Sequence, residues 1–182
     1  GASHVMMSRF DPVALLQAIA DNAVTHTLLV PSMIKMVLNH PALGDFDASS
    51  LELLIYGGSP MPAEVLKKCL EVWPHVGLVQ AYGQSELAPV ATTLSPADHL
   101  AGGDRLKSAG RPTAVSEIKI VDDQGNDCAI GHTGEIAVRG PHTMLGYLNK
   151  AEETANTVKD GWVHTGDAGY FNDAGYLFIA DR

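Results

Sequence analysis

The sequence predicts an α/β fold, with a parallel β-α-β lobe followed by a smaller, antiparallel, β-rich and barrel-like lobe. Two observations predict it. Over roughly the first hundred residues, short apolar runs alternate with helical patterns across short connections, as parallel strands joined by helical crossovers require. Beyond Leu106 the apolar periodicity switches to two, the pattern of half-exposed antiparallel strands. The chain has 182 residues, 46% of them hydrophobic, which is enough to bury a core of ordinary size.

In "DPVALLQAIADNAV", Asp11 is an N-cap candidate, Pro12 suits the first helical position, and Leu15, Leu16 and Ile19 share one face. "THTLLVP" reads as a short buried strand. "SMIKMVLNHP" reads as a helix with Met33, Met36 and Val37 facing inward. "LELLIYGGSP" is a second strand running into a glycine turn. "MPAEVLKKCLEVWP" is a helix with Leu66, Cys69 or Leu70, and Trp73 at core spacing, and "VGLVQAYG" is a third strand. "SEIKIVDDQGNDCAIGHTGEIAVRG" then alternates apolar and polar residues around the turn cluster 122–127, and "GYLFIADR" is a closing strand. The expected division is a lead-in over 1–10, whose "GASHVM" reads as a cloning remnant, an α/β lobe over 11–106 and a β-rich lobe over 107–182.

The formal charge of −9 repels polyanions, and no Lys/Arg cluster offsets it, so nucleic acid is not an expected partner. No apolar stretch approaches the ~20 residues that span a bilayer. Cys69 and Cys128 are far apart and lack paired spacing, so neither a disulfide framework nor a zinc site is signalled, and a reducing, cytoplasmic setting is expected. His132, His142 and His164 form no recognisable metal spacing.

Four segments concentrate chemistry: "YGGSPMP" at 56–62, "AYGQSE" at 81–86, "GEIAVRGPHTMLGY" at 134–147 and "GWVHTGDAGYF" at 161–171, with "IADR" closing the chain. In this order they resemble the adenylate-forming enzymes: the acyl-CoA and aryl-CoA synthetases, the luciferases and the adenylation domains of peptide synthetases. The resemblance runs from about Asp11 to Arg182. Gly57 and Gly58 end a strand without side chains, so a flat ring can approach the backbone closely. By resemblance they and Ser59 meet the adenine edge, although a plain strand-to-helix turn would look the same.

Tyr82 offers a flat face on which adenine can stack, beside Gly83, and Ser85 is a neutral hydroxyl able to donate to a phosphate oxygen. A carboxylate such as Glu86 is repelled by a triphosphate unless a bridging Mg²⁺ intervenes. The family pattern Tyr-Gly-x-Thr-Glu assigns the hydroxyl to phosphate and the glutamate to the metal; serine replaces threonine here. The bland alternative is a surface glutamate beside a core tyrosine. Asp167 in "HTGD" carries two oxygens, enough for both ribose hydroxyls, which is the role the resemblance implies; an Asx-type turn is the alternative. Arg182 matches the family arginine that contacts ribose and phosphate, with Ile179 in the same nucleotide-binding segment. In "GEIAVRGPHTMLGY", Glu135 and Arg139 share a strand face and read as a solvated pair, and the segment reads as scaffold.

The resemblance thus implies an enzyme that activates a small carboxylic acid with ATP as acyl-AMP and passes the acyl group to coenzyme A. "GGSP" resembles the CoA ligases more than peptide-synthetase adenylation domains, which usually carry glutamate after the small residue. Tyr56, Gly58, Ser59, Gly83 and Met33 stand at family positions that line an acyl pocket, and a fatty or related acid is the expected substrate. The family's phosphate loop and its lysine-bearing C-terminal lid have no counterpart here. The chain is therefore expected to be an inactive middle portion of a longer ligase. An adenylation domain of peptide-synthetase or luciferase type, or a non-catalytic nucleotide-binding module, are the alternatives. The first reading requires Tyr82, Glu86 and Asp167 to converge on one adenosine phosphate.

Overall fold

The computed structural model describes residues 1–181, which form two compact units that divide after Val79. The first unit begins with α1 (Pro12–Asn22). Its start is set locally: the Asp11 carboxylate accepts from the Ala14 N–H at 2.9 Å, and Pro12 supplies a helical φ where no donor is needed. Leu15, Leu16 and Ile19 are buried, as their spacing predicts. The strand β1 (His26–Leu29) leads into α2 (Pro31–Leu38). Here the inward stripe is Ile34, Val37 and Leu38, at i, i+3 and i+4, while Met36 is 54% exposed. Met36 lies about 200° round the helix from Ile34, on the side away from the buried stripe, which is why the expected inward methionine faces water.

The strand β2 (Leu53–Gly57) pairs parallel with β1, from His26 opposite Leu53 to Leu29 opposite Tyr56. The helix α3 (Ala63–Val72) buries Val65, Leu66 and Cys69, and Trp73 closes its last turn. Between the two Cys69-or-Leu70 alternatives, Cys69 is the fully buried one. α1 packs on α2 and α2 on α3. The strand β3 (Gly77–Tyr82) opens in this unit, where the Gly77 N–H donates to the Glu52 carbonyl at 2.8 Å.

In the second unit the end of β3 pairs antiparallel with β4 (Thr92–Leu94), and β4 pairs with β5 (Arg111–Pro112). Between them lies α4 (Pro96–Ala101), held by a reciprocal cap in which the Ser95 hydroxyl accepts from the Asp98 N–H and the Asp98 carboxylate accepts from the Ser95 N–H. The chain continues through β6 (Glu117–Val121), β7 (Gly134–Arg139), α5 (Ala151–Thr157), β8 (Val158–Lys159), β9 (Trp162–Phe171) and β10 (Leu177–Asp181). These strands build an antiparallel sheet in the order β10-β9-β7-β6, with β8 added to β9. Alternation puts Ile120, Ile136, Val138, Val163 and Leu177 on one face. There they pack with Tyr82, Leu87, Ala91 and Ala109, and with the partly buried Ile118, Cys128, Val158, Phe171 and Ile179.

Glu135 and Arg139 do share the opposite face, but they do not pair. Arg139 binds Glu117 across the β6–β7 ladder, and Glu135 binds His164 across the β7–β9 ladder at 2.7 Å. Glu117 lies directly opposite Arg139, and His164, opposite Ala137, is a diagonal neighbour of Glu135; both are nearer than residues four apart on one extended strand, so the ladder decides the partners. No helix among the described residues is long and apolar enough to cross a membrane.

Burial pushes the Cys69 thiol up to about 12, whereas Cys128 is only partly buried. At pH 8 a thiol reagent should therefore modify Cys128 at least roughly a hundredfold faster than Cys69, with the two converging in denaturant; peptide mapping of the labelled chain reads this directly. The Asp98 carboxyl is held below its ordinary 3.8 by hydrogen bonds from Ser95 and then from the Tyr176 hydroxyl, 2.6 Å away. Its stabilisation is present above 3.8 and is lost as pH falls below that value. Asp98→Asn should cost about 1–2 kcal/mol at pH 7 and flatten the acid limb of a urea-denaturation series.

Candidate functional site

The "AYGQSE" stretch forms the turn of the β3–β4 hairpin. Tyr82 is the last residue of β3, opposite Thr92, and its carbonyl accepts from the Ala91 N–H at 2.8 Å. Gly83 must lack a side chain, because a Cβ there would sit 2.1 Å from the Pro89 carbonyl oxygen. The chain then makes a single 3₁₀ turn, Ser85–Leu87, with Leu87 buried as its anchor in the core. This local geometry sends Tyr82 inward, leaves Ser85 exposed and half-buries Glu86.

The "HTGD" motif is a bulge in β9. Ala137 pairs with His164 and Glu135 with Ala168, so β7 advances two residues while β9 advances four. The extra length is taken up at Thr165, Gly166 and Asp167. The Thr165 hydroxyl donates to the Ile136 carbonyl at 2.8 Å, and the Gly166 N–H donates to the Glu135 carboxylate at 3.1 Å. Gly166 takes a φ of 74°, which a side chain would strain. The Asp167 N–H donates to the Thr165 hydroxyl at 3.1 Å. The local turn read as the alternative to a ribose contact is thus present, but built by Thr165 within a strand. Bulges re-aim side chains, and this one turns Asp167 toward the buried face.

There it meets Tyr82. The phenolic hydroxyl donates to the Asp167 Oδ2 at 2.7 Å, across 85 positions of sequence. Asp167 is 5% and Tyr82 9% exposed. Two of the three residues expected to converge are therefore in direct contact, and one carboxylate oxygen of Asp167 is engaged by the tyrosine. Glu86 is held by a different group: its Oε1 accepts from the Tyr147 hydroxyl at 2.8 Å, and its backbone carbonyl accepts from the Met144 N–H at 2.7 Å. Oε2 has no hydrogen-bond partner among the described residues. A single oxygen donor of this kind fits a Mg²⁺ whose remaining ligands are phosphate and water, the usual mode for that ion. No group of three or more metal-ligating side chains occurs among the described residues.

In the first unit Gly57 ends β2, Gly58 follows with a φ of 79°, and Ser59 is exposed. Tyr56 is fully buried and Met33 half-buried; burial pushes the Tyr56 hydroxyl up, with Cys69 beside it adding to the shift. Ile179 lies on β10 and packs against the second unit's core, and Arg182 falls outside the described residues.

A groove of about 560 Å³ crosses the outer face of the antiparallel sheet, lined by Lys119, Asp122, Glu135, Lys159, Trp162 and His164 among others. It contains none of the residues read from the sequence as nucleotide or metal contacts. Its charges are largely matched within the face: Lys119 pairs with Asp127, His164 with Glu135, and both Lys119 and Arg139 lie over the Trp162 ring, at 4.9 and 4.5 Å. That is the arrangement of a solvated sheet surface, and concavity there carries no chemistry. The residue that sequence reasoning missed is Tyr147. Its segment reads as scaffold, and nothing in "LGY" marks the ring as a partner of the hairpin.

The AMP-binding enzyme family matches residues 1–148. The medium/long-chain-fatty-acid–CoA ligase FadD8 of Mycobacterium tuberculosis is 38% identical over 182 residues, covering all of this chain and 31% of that protein. The fatty acid–[acyl-carrier-protein] ligase ScoC of Streptomyces coeruleorubidus is 36% identical over the same length, covering 35% of its own. Among solved structures, the amide bond synthetase McbA from Marinactinospora thermotolerans superimposes with a TM-score of 0.90 at 39% identity, over 97% of this chain and 35% of that one. O-succinylbenzoate coenzyme A synthetase from Bacillus subtilis, in complex with AMP, gives 0.84 at 33% identity, over 96% and 34%. The chain spans about a third of the length of these relatives. With the ordered motifs and a fold shared over almost the whole chain, it belongs to the AMP-binding enzyme family.

Proposed function

We propose that this chain supplies part of the nucleotide site of an ATP-dependent acid–CoA ligase, with a fatty or related carboxylic acid as substrate. The observation that carries the reading is the Tyr82–Asp167 contact, which unites two motifs 85 positions apart at a strand bulge. The relatives named as fatty-acid and succinylbenzoate ligases support the reaction class. Tyr82 and Gly83 take the adenine; Asp167 takes the ribose hydroxyls, with Ile179 and Arg182 completing the nucleotide contacts; Ser85 donates to phosphate and Glu86 serves Mg²⁺.

In the reaction a substrate carboxylate oxygen bonds to the α-phosphorus of ATP as the bond to the bridging oxygen breaks and pyrophosphate leaves. The thiolate of coenzyme A then attacks the acyl carbonyl, AMP departs as leaving group, and the thiol proton passes to solvent or base. Mg²⁺, when bound, neutralises phosphate charge. The chain's own residues orient the nucleotide: Tyr82 holds Asp167 in place, and the buried aspartate accepts from the ribose. For the 182-residue segment alone the proposal is nucleotide binding without turnover. Two unpaired cysteines suit a reducing, cytoplasmic setting.

Calorimetry with AMP on the 182-residue chain tests the site. Tyr82→Ala and Asp167→Ala should each weaken binding by at least about tenfold, and Asp167→Asn, which keeps the shape, should do nearly the same. Unchanged affinity in a folded Asp167→Asn protein would remove the nucleotide assignment and leave a structural module.

A further inference from the structure

We propose that Tyr147 is a positioning residue for Glu86, fixing which carboxylate oxygen is left for a phosphate-bound divalent cation. The inference rests on reading Glu86 as the acid that serves a metal–nucleotide, and adds to it a residue from a segment that otherwise reads as scaffold. A glutamate in a surface turn samples many rotamers, and holding one of them needs an external tie. The structure supplies two. The Tyr147 hydroxyl donates to Glu86 Oε1 at 2.8 Å, and the Met144 N–H donates to the Glu86 carbonyl at 2.7 Å, so side chain and backbone are both pinned by the loop after β7.

That loop is itself anchored. The Tyr147 N–H donates to the Thr154 hydroxyl at 2.9 Å, and that hydroxyl donates to the Lys150 carbonyl at 2.8 Å. A Cβ on Gly146 would lie 2.7 Å from Thr154 Cγ2, so the loop lies directly against α5. The chain Thr154–Tyr147–Glu86 thus runs from a helix to the hairpin turn. With Oε1 taken, Oε2 is the oxygen available to a cation.

The test uses Mn²⁺ as probe on the 182-residue chain, with bound Mn²⁺ followed by electron paramagnetic resonance, Mn²⁺–ATP affinity by titration, and metal-free AMP affinity alongside. Tyr147→Phe, which keeps the ring, should weaken Mn²⁺–ATP binding about tenfold while leaving AMP binding within about twofold. Glu86→Gln should lose at least as much, and the combined variant should be no worse than Glu86→Gln alone. Equal loss of AMP and Mn²⁺–ATP binding in Tyr147→Phe would make the residue merely structural and overturn the proposal. So would unchanged Mn²⁺–ATP affinity in Tyr147→Phe alongside a loss in Glu86→Gln, or additive losses in the combined variant; either result leaves the reading of Glu86 standing. If Glu86→Gln changes nothing, or the chain binds neither nucleotide, the underlying reading falls and the proposal with it.

Discussion

A carboxylate that is 95% withdrawn from water has to be compensated, and in the second unit the Tyr82 hydroxyl supplies part of that compensation to Asp167. The two groups arrive from opposite directions. Tyr82 comes at the end of β3, with its ring in the apolar cluster and its oxygen at the cluster's edge. Asp167 comes from a bulge that interrupts an otherwise regular ladder. Each answers a need of the other: a buried acid is costly without a donor, and a buried phenol needs an acceptor. The hairpin turn and the strand bulge are thereby held in one geometry.

The rest of the candidate site hangs from the same two elements. Leu87 anchors the 3₁₀ turn in the core, which half-buries the neighbouring Glu86 and brings it to the loop after β7. Three stretches far apart in sequence, around 82–87, 144–147 and 165–167, are brought into contact by strand pairing and by two short side-chain hydrogen bonds. On the sheet's outer face Lys119 pairs with Asp127 and Arg139 with Glu117, while Tyr82 and Asp167 lie on the buried side and Glu86 at its rim.

What was legible in the sequence follows from the range of the interaction concerned. The start of α1 was readable because Asp11 and Pro12 act within one turn, and β6 and β7 because their alternation is local. Met36 was misplaced because Met33, Met36 and Val37 have the same i, i+3, i+4 spacing as Ile34, Val37 and Leu38, and only the packing of α2 on its neighbours selects the second stripe. The partners of Glu135 and Arg139 were unreadable for a related reason: they are set by which strands lie alongside β7, and strand order is not written in one strand. The motifs around Tyr82 and Asp167 could be spotted as unusual, but β4, α4 and α5 passed without a strong periodic signal, being three to seven residues long. Tyr147 carried no local mark at all, since its significance comes only from the hydrogen bond to a residue 61 positions away.

The interruption in β9 adds an even number of residues, and that parity matters. Val163 before it and Gly169 after it are both buried, so the inside–outside phase of the strand survives the detour. The triplet Thr165-Gly166-Asp167 can thus be rebuilt, or shortened by two, while the flanking ladder keeps its facing.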